Sequence, residues 1–355
     1  MPPLLSGLAD LAAKYAPIIV LHGDDKLRPS SAEWFIARSE LRWASGRRLD
    51  GVAVRNVGDK VDPKALGAAA SKPYRHEGFV ASALTRPLDN HSARAPNLPL
   101  EQGFFLRLRD ESFYRGPKRG ALRAYWDFDE STASITYWLF YPASSPPLGI
   151  LRAGEQLGTE GPPTEEVPEA LEAADAAAKL EEFHRAYPGL AAATEPPEEA
   201  LVGDVIDRLK VVGEGVRALL RADDVLHEGD WERVTVYLDA DDPTDADPAG
   251  VALYRHSTKS FEPWNRVERD GTHPIAYSSI GSHATLPTPD FGFIDVGDRN
   301  GPRWETAEKL AQVEEQPWYG FGGAWGRLGK VRDSTGPLGP GAHWKHPAPR
   351  PAQFA

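Results

Sequence analysis

The chain has 355 residues, of which 41% are apolar, enough for a large core in one domain that carries insertions. Its 52 acidic residues outnumber the 40 basic ones, for a net charge of -12, and no run of Lys or Arg is long enough to form a phosphate-binding arm, so we expect no nucleic-acid partner. The absence of cysteine excludes disulfides, thiolate catalysis and iron-sulfur clusters, so any metal would be bound by His, Asp or Glu.

The first segment, "MPPLLSGLADLAAKYAPIIVL", predicts a short helix followed by a buried strand over residues 17–21. It lacks the basic leader of a signal peptide, and no window reaches the roughly 18 apolar residues of a membrane helix. We therefore expect a cytoplasmic protein with no integral membrane segment. His22, Asp24 and Asp25 follow the strand, where they either reach a rim shared with other strand ends or form a solvated turn.

Later segments have the β-branched, aromatic or alternating composition of strands. They are residues 104–108, 121–128, 133–141, 231–238, 251–256 and 275–280. "ALRAYWDF" and "ASITYWLFY" flank the polar turn "DEST", which predicts an antiparallel hairpin. We predict a mostly β fold, an antiparallel β-sandwich of jelly-roll-like type, in which residues 1–149 and 226–345 form one domain.

Residues 150–225 differ in composition from the strand-rich segments on both sides, because they are rich in Ala, Glu and Pro. Leu180, Phe183 and Tyr187 share one helical face, and a second apolar stripe runs from Val202 to Leu219, so two amphipathic helices are predicted. This α-helical insertion either forms a lid or only extends the core. Residues 346–355 are predicted to be a frayed tail.

The segment "HEGDWERVTVYL", residues 227–238, places one imidazole and three carboxylates at the start of a predicted strand. Strand interiors disfavour Asp and Glu, so this position indicates a strand mouth. Alternation along the strand predicts two faces. One carries Asp230, Glu232, Val234 and Val236, and the other carries Trp231, Arg233 and Thr235.

Two further histidines stand near strand ends, His256 at the end of "VALYRH" and His283 after the glycine of "IGSHA". If the strand ends meet, a His/carboxylate site results. The predicted ligands of a divalent zinc, iron or manganese ion are His227, Asp230, Glu232, His256 and His283. The predicted catalytic groups are Glu232, Asp230, His283 and His256. A metal-free acid/base site, or buried polar groups that brace the loops, would use the same residues.

Two other motifs are weaker. Ser282 beside His283 suggests a serine nucleophile, but adjacent loop residues rarely face each other and the G-x-S-x-G elbow is absent. Asp295, Asp298 and Asn300 form an oxygen-rich loop that would suit calcium, and an Asx-rich turn explains it equally well.

Taken in order, "YAPIIVLHGDDKLRPSSAEWF", "YWLFYPAS", "HEGDWERVTVYL", "YRH", "YSSIGSHA", "WYGFGGAWG" and "GPLGPG" resemble the vacuolar protein sorting-associated protein 62 family. The resemblance spans both β-rich parts, and the chain departs from the family in the insertion and in the tail. The family implies no particular chemistry. The positions that coincide with its motifs are His227, Glu228, Asp230, Trp231, Glu232, His256, Ser282 and His283.

Two hypotheses for function follow. The first is an enzyme with a His/carboxylate site at one end of the sandwich, acting on a small or lipid-like substrate by metal-assisted hydrolysis or by lyase- or cyclase-type acid/base catalysis. The second is a non-catalytic carbohydrate-, lipid- or protein-binding or sorting module that uses exposed aromatic side chains. Convergence of the histidines and carboxylates in a recess would favour the first, and a flat aromatic surface the second.

Overall fold

The computed structural model describes residues 3–45, 53–58, 61–68, 75–76, 79–80, 103–118, 120–145, 227–238, 248–255, 258–289, 295–327 and 336–343. The predicted helices of residues 150–225 and the predicted tail of residues 346–355 lie outside these ranges. Within the described part of the chain, no helix is long and apolar enough to cross a bilayer.

The described residues are mostly strands, which confirms the predicted fold class. The strands are β1 (Ile18–Val20), β2 (Ser39–Ser45), β3 (Ala53–Gly58), β4 (Arg75–His76), β5 (Phe79–Val80), β6 (Gly103–Leu108), β7 (Ala124–Asp129), β8 (Ser134–Ser144), β9 (His227–Leu238), β10 (Pro248–Arg255), β11 (Thr258–Pro263), β12 (Arg269–Asp270), β13 (His273–Ser278), β14 (Thr285–Leu286), β15 (Arg303–Glu305), β16 (Leu310–Gln312) and β17 (Ala324–Trp325). The α-helices are α1 (Pro3–Lys14), α2 (Ala32–Ile36), α3 (Pro63–Ala68) and α4 (Pro340–His343), and 3-10 helices span Glu111–Arg115 and Thr306–Lys309.

The central sheet has six strands in the order β11-β10-β9-β8-β7-β16. The predicted hairpin is confirmed, since β7 pairs antiparallel with β8 across the "DEST" turn. Strands from before and after residues 150–225 share this sheet, because β8 pairs with β9 from Ser134 opposite Tyr237 to Ser144 opposite His227. The division into domains stays a prediction.

Most strand pairs are antiparallel, as predicted, but three are parallel. These are β1 with β13, β7 with β16, and β6 with β17. The composition of β16 and β17 did not identify them as strands, and the two are only three and two residues long. Such short edge strands carry too little periodicity to be recognised from sequence.

Smaller sheets cover both faces of the central sheet, which gives a sandwich-like arrangement. On one face, Tyr137 and Leu139 of β8 and Val234 of β9 pack in a core with α1 and β1. This core adjoins the sheet β12-β13-β1-β15. On the other face, Trp138, Phe140 and Trp231 pack with α2, β2 and β6. The predicted alternation of β9 is therefore correct, and each fully buried side chain of this size stabilises the fold by about 1.5 to 3 kcal/mol.

Strand β9 begins at His227, four residues before the predicted start, so the charged residues lie inside the strand. Gly229 makes this possible through its positive φ of 67°. A Cβ atom at this position would lie 1.7 Å from the carbonyl oxygen of Trp325, so only glycine fits the close approach of the two backbones. This local twist sends the Glu228 side chain toward β6 and the Asp230 side chain toward β13.

Candidate functional site

A tight turn after β13 carries His283. The backbone amide of His283 closes the turn by donating a hydrogen bond to the carbonyl of Ser279 at 3.0 Å. Gly281 and His283 both have a positive φ, of 79° and 58°. A residue other than glycine adopts this conformation at a cost of about 1 to 3 kcal/mol. Since strained residues cluster at functional sites, this turn is the first structural indication of a site.

The imidazole of His283 is held by Asp230. Its Nδ1 lies 2.9 Å from Oδ2 of Asp230, and the His283 side chain is only 1% exposed. The ring also stacks on Tyr141 of β8, with 3.8 Å between centroids and 5° between planes. With Asp230 as the carboxylate, Nδ1 is the donor of this bond, because a carboxylate only accepts hydrogen bonds. The ring orientation is thus fixed by a hydrogen bond and a stacking contact.

Asp25 lies on the other side of the imidazole. Its Oδ2 is 3.6 Å from Nε2 of His283, too long for a hydrogen bond, and no described residue accepts from or donates to Nε2. Backbone amides fix this carboxylate, since Gly281 donates to Oδ2 and Leu27 to Oδ1, each at 2.8 Å. Of the three residues predicted to reach a rim or form a turn after β1, Asp25 therefore joins the cluster.

Glu232 follows Asp230 by two positions on the same face of β9. It is partly accessible, and it accepts no hydrogen bond from the described residues. Desolvation by burial raises the pKa of Glu232 well above its ordinary value, and the negative charges of Asp230 and Asp295 raise it further. The positive charge of Arg233 lowers this pKa by a smaller amount.

Asp295, in the loop before β15, adds a further carboxylate to the cluster. It is 1% exposed, its Oδ1 accepts a hydrogen bond from Ser282 Oγ at 2.9 Å, and its Oδ2 lies 3.8 Å from Nε of Arg255. Ser282 is therefore bonded to a carboxylate and not to His283, which gives the serine-nucleophile hypothesis no support. The register of β9 and β10, extended by two residues, places Arg255 opposite Glu232.

The remaining residues of the predicted calcium loop form an Asx turn. Asp298 accepts hydrogen bonds from the backbone amides of Asn300 at 2.9 Å and of Gly23 at 3.0 Å. These two bonds lower the pKa of Asp298. The turn thus ties the loop to the end of β1.

His227, a predicted ligand, and Glu228, a position of the family motif, have other partners. Nδ1 of His227 lies 2.8 Å from the carbonyl oxygen of Gly229, inside its own strand. Glu228 is a brace between layers, because its carboxylate accepts hydrogen bonds from the amides of Leu108 and Arg327 and from the hydroxyl of Tyr114, at 3.0 to 3.1 Å. His256 lies outside the described residues. The described contacts thus unite Asp230 and His283, with Glu232 beside them, and leave His227 apart.

Among the residues that the structure describes, no group of three or more His, Asp and Glu side chains is arranged to hold a metal ion. The predicted metal site with five ligands therefore stays a prediction. Sequence reasoning did not identify Tyr141 as a site residue. It named Asp25 as one of three residues that either reach the shared rim or form a solvated turn, and Asp295 only as part of the oxygen-rich loop. The signal for Asp25 was an acidic residue a few positions after a buried strand.

A groove of about 300 Å³ lies elsewhere on the molecule, lined by Ser31, Glu33, Gly120, Ala121, Leu122, Arg123 and Lys309. Its carboxylate, Glu33, already accepts hydrogen bonds from the Tyr125 hydroxyl at 2.8 Å and the Trp318 indole at 2.9 Å. The groove shares no residue with the His283 cluster, and its polar groups have structural partners.

No family model, no curated protein and no solved structure matches the chain. The resemblance to the vacuolar protein sorting-associated protein 62 family therefore stays a prediction from the motifs.

Proposed function

We propose that the chain is an enzyme that transfers protons to or from a small or lipid-like organic substrate at the cluster formed by Asp230, Glu232 and His283. The observation that carries the proposal is a partly accessible carboxyl without a hydrogen bond, Glu232, on the same face as a buried and oriented Asp230–His283 pair. A carboxyl group that has no hydrogen-bond donor and lies beside an oriented imidazole is typical of an acid/base site.

Each group has a role in this proposal. Glu232 is the residue that meets the substrate, and in its protonated form it donates a proton to a developing negative charge. The fixed charge of Asp230 helps to keep that proton on Glu232, since it contributes to the raised pKa. His283 holds Asp230 in place through the 2.9 Å hydrogen bond. A lyase, cyclase or hydrolase reaction assisted by a general acid fits this arrangement.

The most deeply buried tryptophans give a binding or sorting module no support. Trp138, Trp318 and Trp325 are at most 2% exposed and pack inside the sandwich, so these three form no part of a recognition surface. The cytoplasmic location and the absence of a nucleic-acid partner, both predicted from the sequence, belong to the same proposal.

The test is a turnover screen of the full chain on a panel of esters, lactones, epoxides and unsaturated acids, with Glu232→Gln and a control, Asp127→Asn. Asp127 lies on β7, is half-buried, and accepts a hydrogen bond from the Trp138 indole, so it is an acidic residue of the same sheet outside the cluster. We expect a loss of about 100-fold or more in kcat for Glu232→Gln and no change for the control. Turnover that survives Glu232→Gln, or no turnover of any panel member by the natural chain, would overturn the proposal.

A further inference from the structure

The second ring nitrogen of His283 is the least satisfied polar atom near the cluster. Nδ1 is bonded to Asp230, whereas Nε2 is buried and has no hydrogen-bond partner among the described residues. A buried polar atom without a partner destabilises the fold by about 1 to 3 kcal/mol unless something not part of the chain satisfies it. The environment of Nε2 therefore indicates a missing partner.

The acidic oxygen near Nε2 is Asp25 Oδ2, at 3.6 Å. This separation exceeds the 2.7 to 3.2 Å, roughly, of an N–H···O hydrogen bond. It is within the span of about 4.2 Å that two metal–ligand bonds of about 2.1 Å can bridge. Asp25 is also held as ligating carboxylates usually are, because the amides of Gly281 and Leu27 fix its two oxygens.

The negative charges around the His283 imidazole also favour a bound cation. Asp25 and Asp230 are 8% and 7% exposed, and both lie against a single imidazole ring. Even a protonated imidazole would leave one of these two buried negative charges without compensation by His283. Two buried carboxylates around one imidazole favour a cation nearby, because buried charges are usually paired or bound to a metal.

From this geometry we infer a divalent-cation site between Nε2 of His283 and Oδ2 of Asp25, in which Asp230 orients the histidine from its other nitrogen. The inference rests on the proposed function, since it takes the Asp230–His283 pair as part of the same site. It changes the ligand set predicted from the sequence, because Asp25 enters as a ligand and Asp230 moves to the supporting position.

A carboxylate that holds the far nitrogen of a ligating histidine is a recurrent feature of metal sites, where it fixes the tautomer and raises the basicity of the ligand. Only two protein ligands lie in place within the described residues, so water or substrate would complete the coordination. Open positions of this kind are typical of catalytic zinc sites and of sites for Mg²⁺-like ions. Imidazole with carboxylate suits zinc or manganese.

The experiment measures ion binding directly, by calorimetric titration of Zn²⁺ and of Mn²⁺ into the chelator-treated full chain. We expect one ion per chain for the natural sequence. Asp25→Asn keeps the size of the side chain and removes its charge, and should weaken binding at least tenfold. Asp230→Asn should weaken binding about 10- to 100-fold, as replacement of a supporting carboxylate does elsewhere.

His227→Gln is the matched control, because the His227 ring bonds within its own strand and should leave binding unchanged. Nitrogen-15 NMR of the histidine rings supplies a second measurement that needs no variant: Nε2 of His283 should shift on addition of the ion while Nδ1 stays protonated. Equal ion binding by the natural chain and Asp25→Asn, or an Nε2 that carries a proton with and without the ion, would overturn the inference. If no ion binds but turnover still depends on Glu232, the cation site is refuted and the proposed acid/base function is retained.

Discussion

Two glutamates of β9, Glu228 and Glu232, stand four positions apart and have opposite surroundings. Glu228 is 1% exposed and accepts hydrogen bonds from two backbone amides and a tyrosine hydroxyl. Glu232 accepts none from the described residues and faces the charges of Asp230 and Asp295. Burial raises the pKa of both carboxyls, but only Glu228 has hydrogen bonds that oppose this rise. The comparison shows how to separate a structural carboxylate from a functional one in the same strand.

The largest expected effect concerns Gly229, which lies between Glu228 and Asp230 and directs the two side chains to different layers. In Gly229→Ala the new Cβ would lie 1.7 Å from the Trp325 carbonyl oxygen at a φ of +67°. Both backbones would have to move, so we expect the free energy of unfolding to fall by more than about 4 kcal/mol. Urea unfolding followed by tryptophan fluorescence measures this change.

Gly271→Ala is the control for this variant. Gly271 has a similar φ of +60°, but nothing lies within 4 Å of its Cβ position. Its replacement should lower stability only by the conformational term, about 1 to 2 kcal/mol. Equal effects of the two substitutions would mean that backbone conformation, and not the contact with Trp325, requires glycine at position 229.

Glu228→Ala should have the next largest effect. It removes the acceptor of the buried amide of Leu108 and of the half-buried amide of Arg327, and the loss of a partner for a buried amide is destabilising by about 1 to 3 kcal/mol. We expect a loss of about 3 kcal/mol in the free energy of unfolding, with ion binding at the His283 cluster retained in the folded protein. A loss below about 1 kcal/mol would contradict the bracing role.

Glu232→Gln should change stability least, and in a pH-dependent way. A carboxyl whose pKa is higher in the folded state than in the unfolded state binds its proton more tightly when folded, so the natural chain loses stability as pH rises above the ordinary Glu value. The variant does not lose stability in this way. Relative to the natural chain it should gain stability with rising pH, by at most about 1.4 kcal/mol per pH unit within that window.

Asp127→Asn sharpens this measurement. Burial raises the pKa of Asp127 to about 6, although the Trp138 indole donates a hydrogen bond that opposes the rise. The gain of Asp127→Asn over the natural chain should therefore level off near pH 6. The gain of Glu232→Gln should follow a different pH profile, because no described hydrogen bond opposes the effect of burial on Glu232. Identical pH profiles for the two variants would show that Glu232 is an ordinary buried carboxyl.

The strands of the central sheet could be predicted from sequence because their apolar residues alternate over many positions. β8 and β9 are eleven and twelve residues long, and each was recognised, although β9 begins earlier than predicted. The error has a physical cause: Gly229 allows the strand to continue through charged residues by a positive φ, which a propensity argument does not anticipate.

The candidate site was predictable only in part. Asp230 and Glu232 follow from alternation on one strand, and His283 was recognised as a group that follows a strand and a glycine. The parallel pairing of β1 with β13 could not be read from composition, and it is this pairing that places Asp25 next to the turn of His283. Contacts that depend on which strands are neighbours carry no local sequence signal.

The pairing of Ser144 with His227 has a consequence for how the chain tolerates change. The chain leaves one strand and enters the next at directly opposed positions, so residues 146–226 connect two points that a short hairpin turn would also connect. Lengthening such a connection is thermodynamically mild, since each doubling adds only about 0.6 kcal/mol of closure entropy. A variant of this chain with a connection of another length, or with a simple turn, should therefore keep the pairing of β8 with β9. Because the amide of Ser145 donates to the carbonyl of Gly281 at 3.0 Å, any segment exchanged there would begin beside the turn that carries His283.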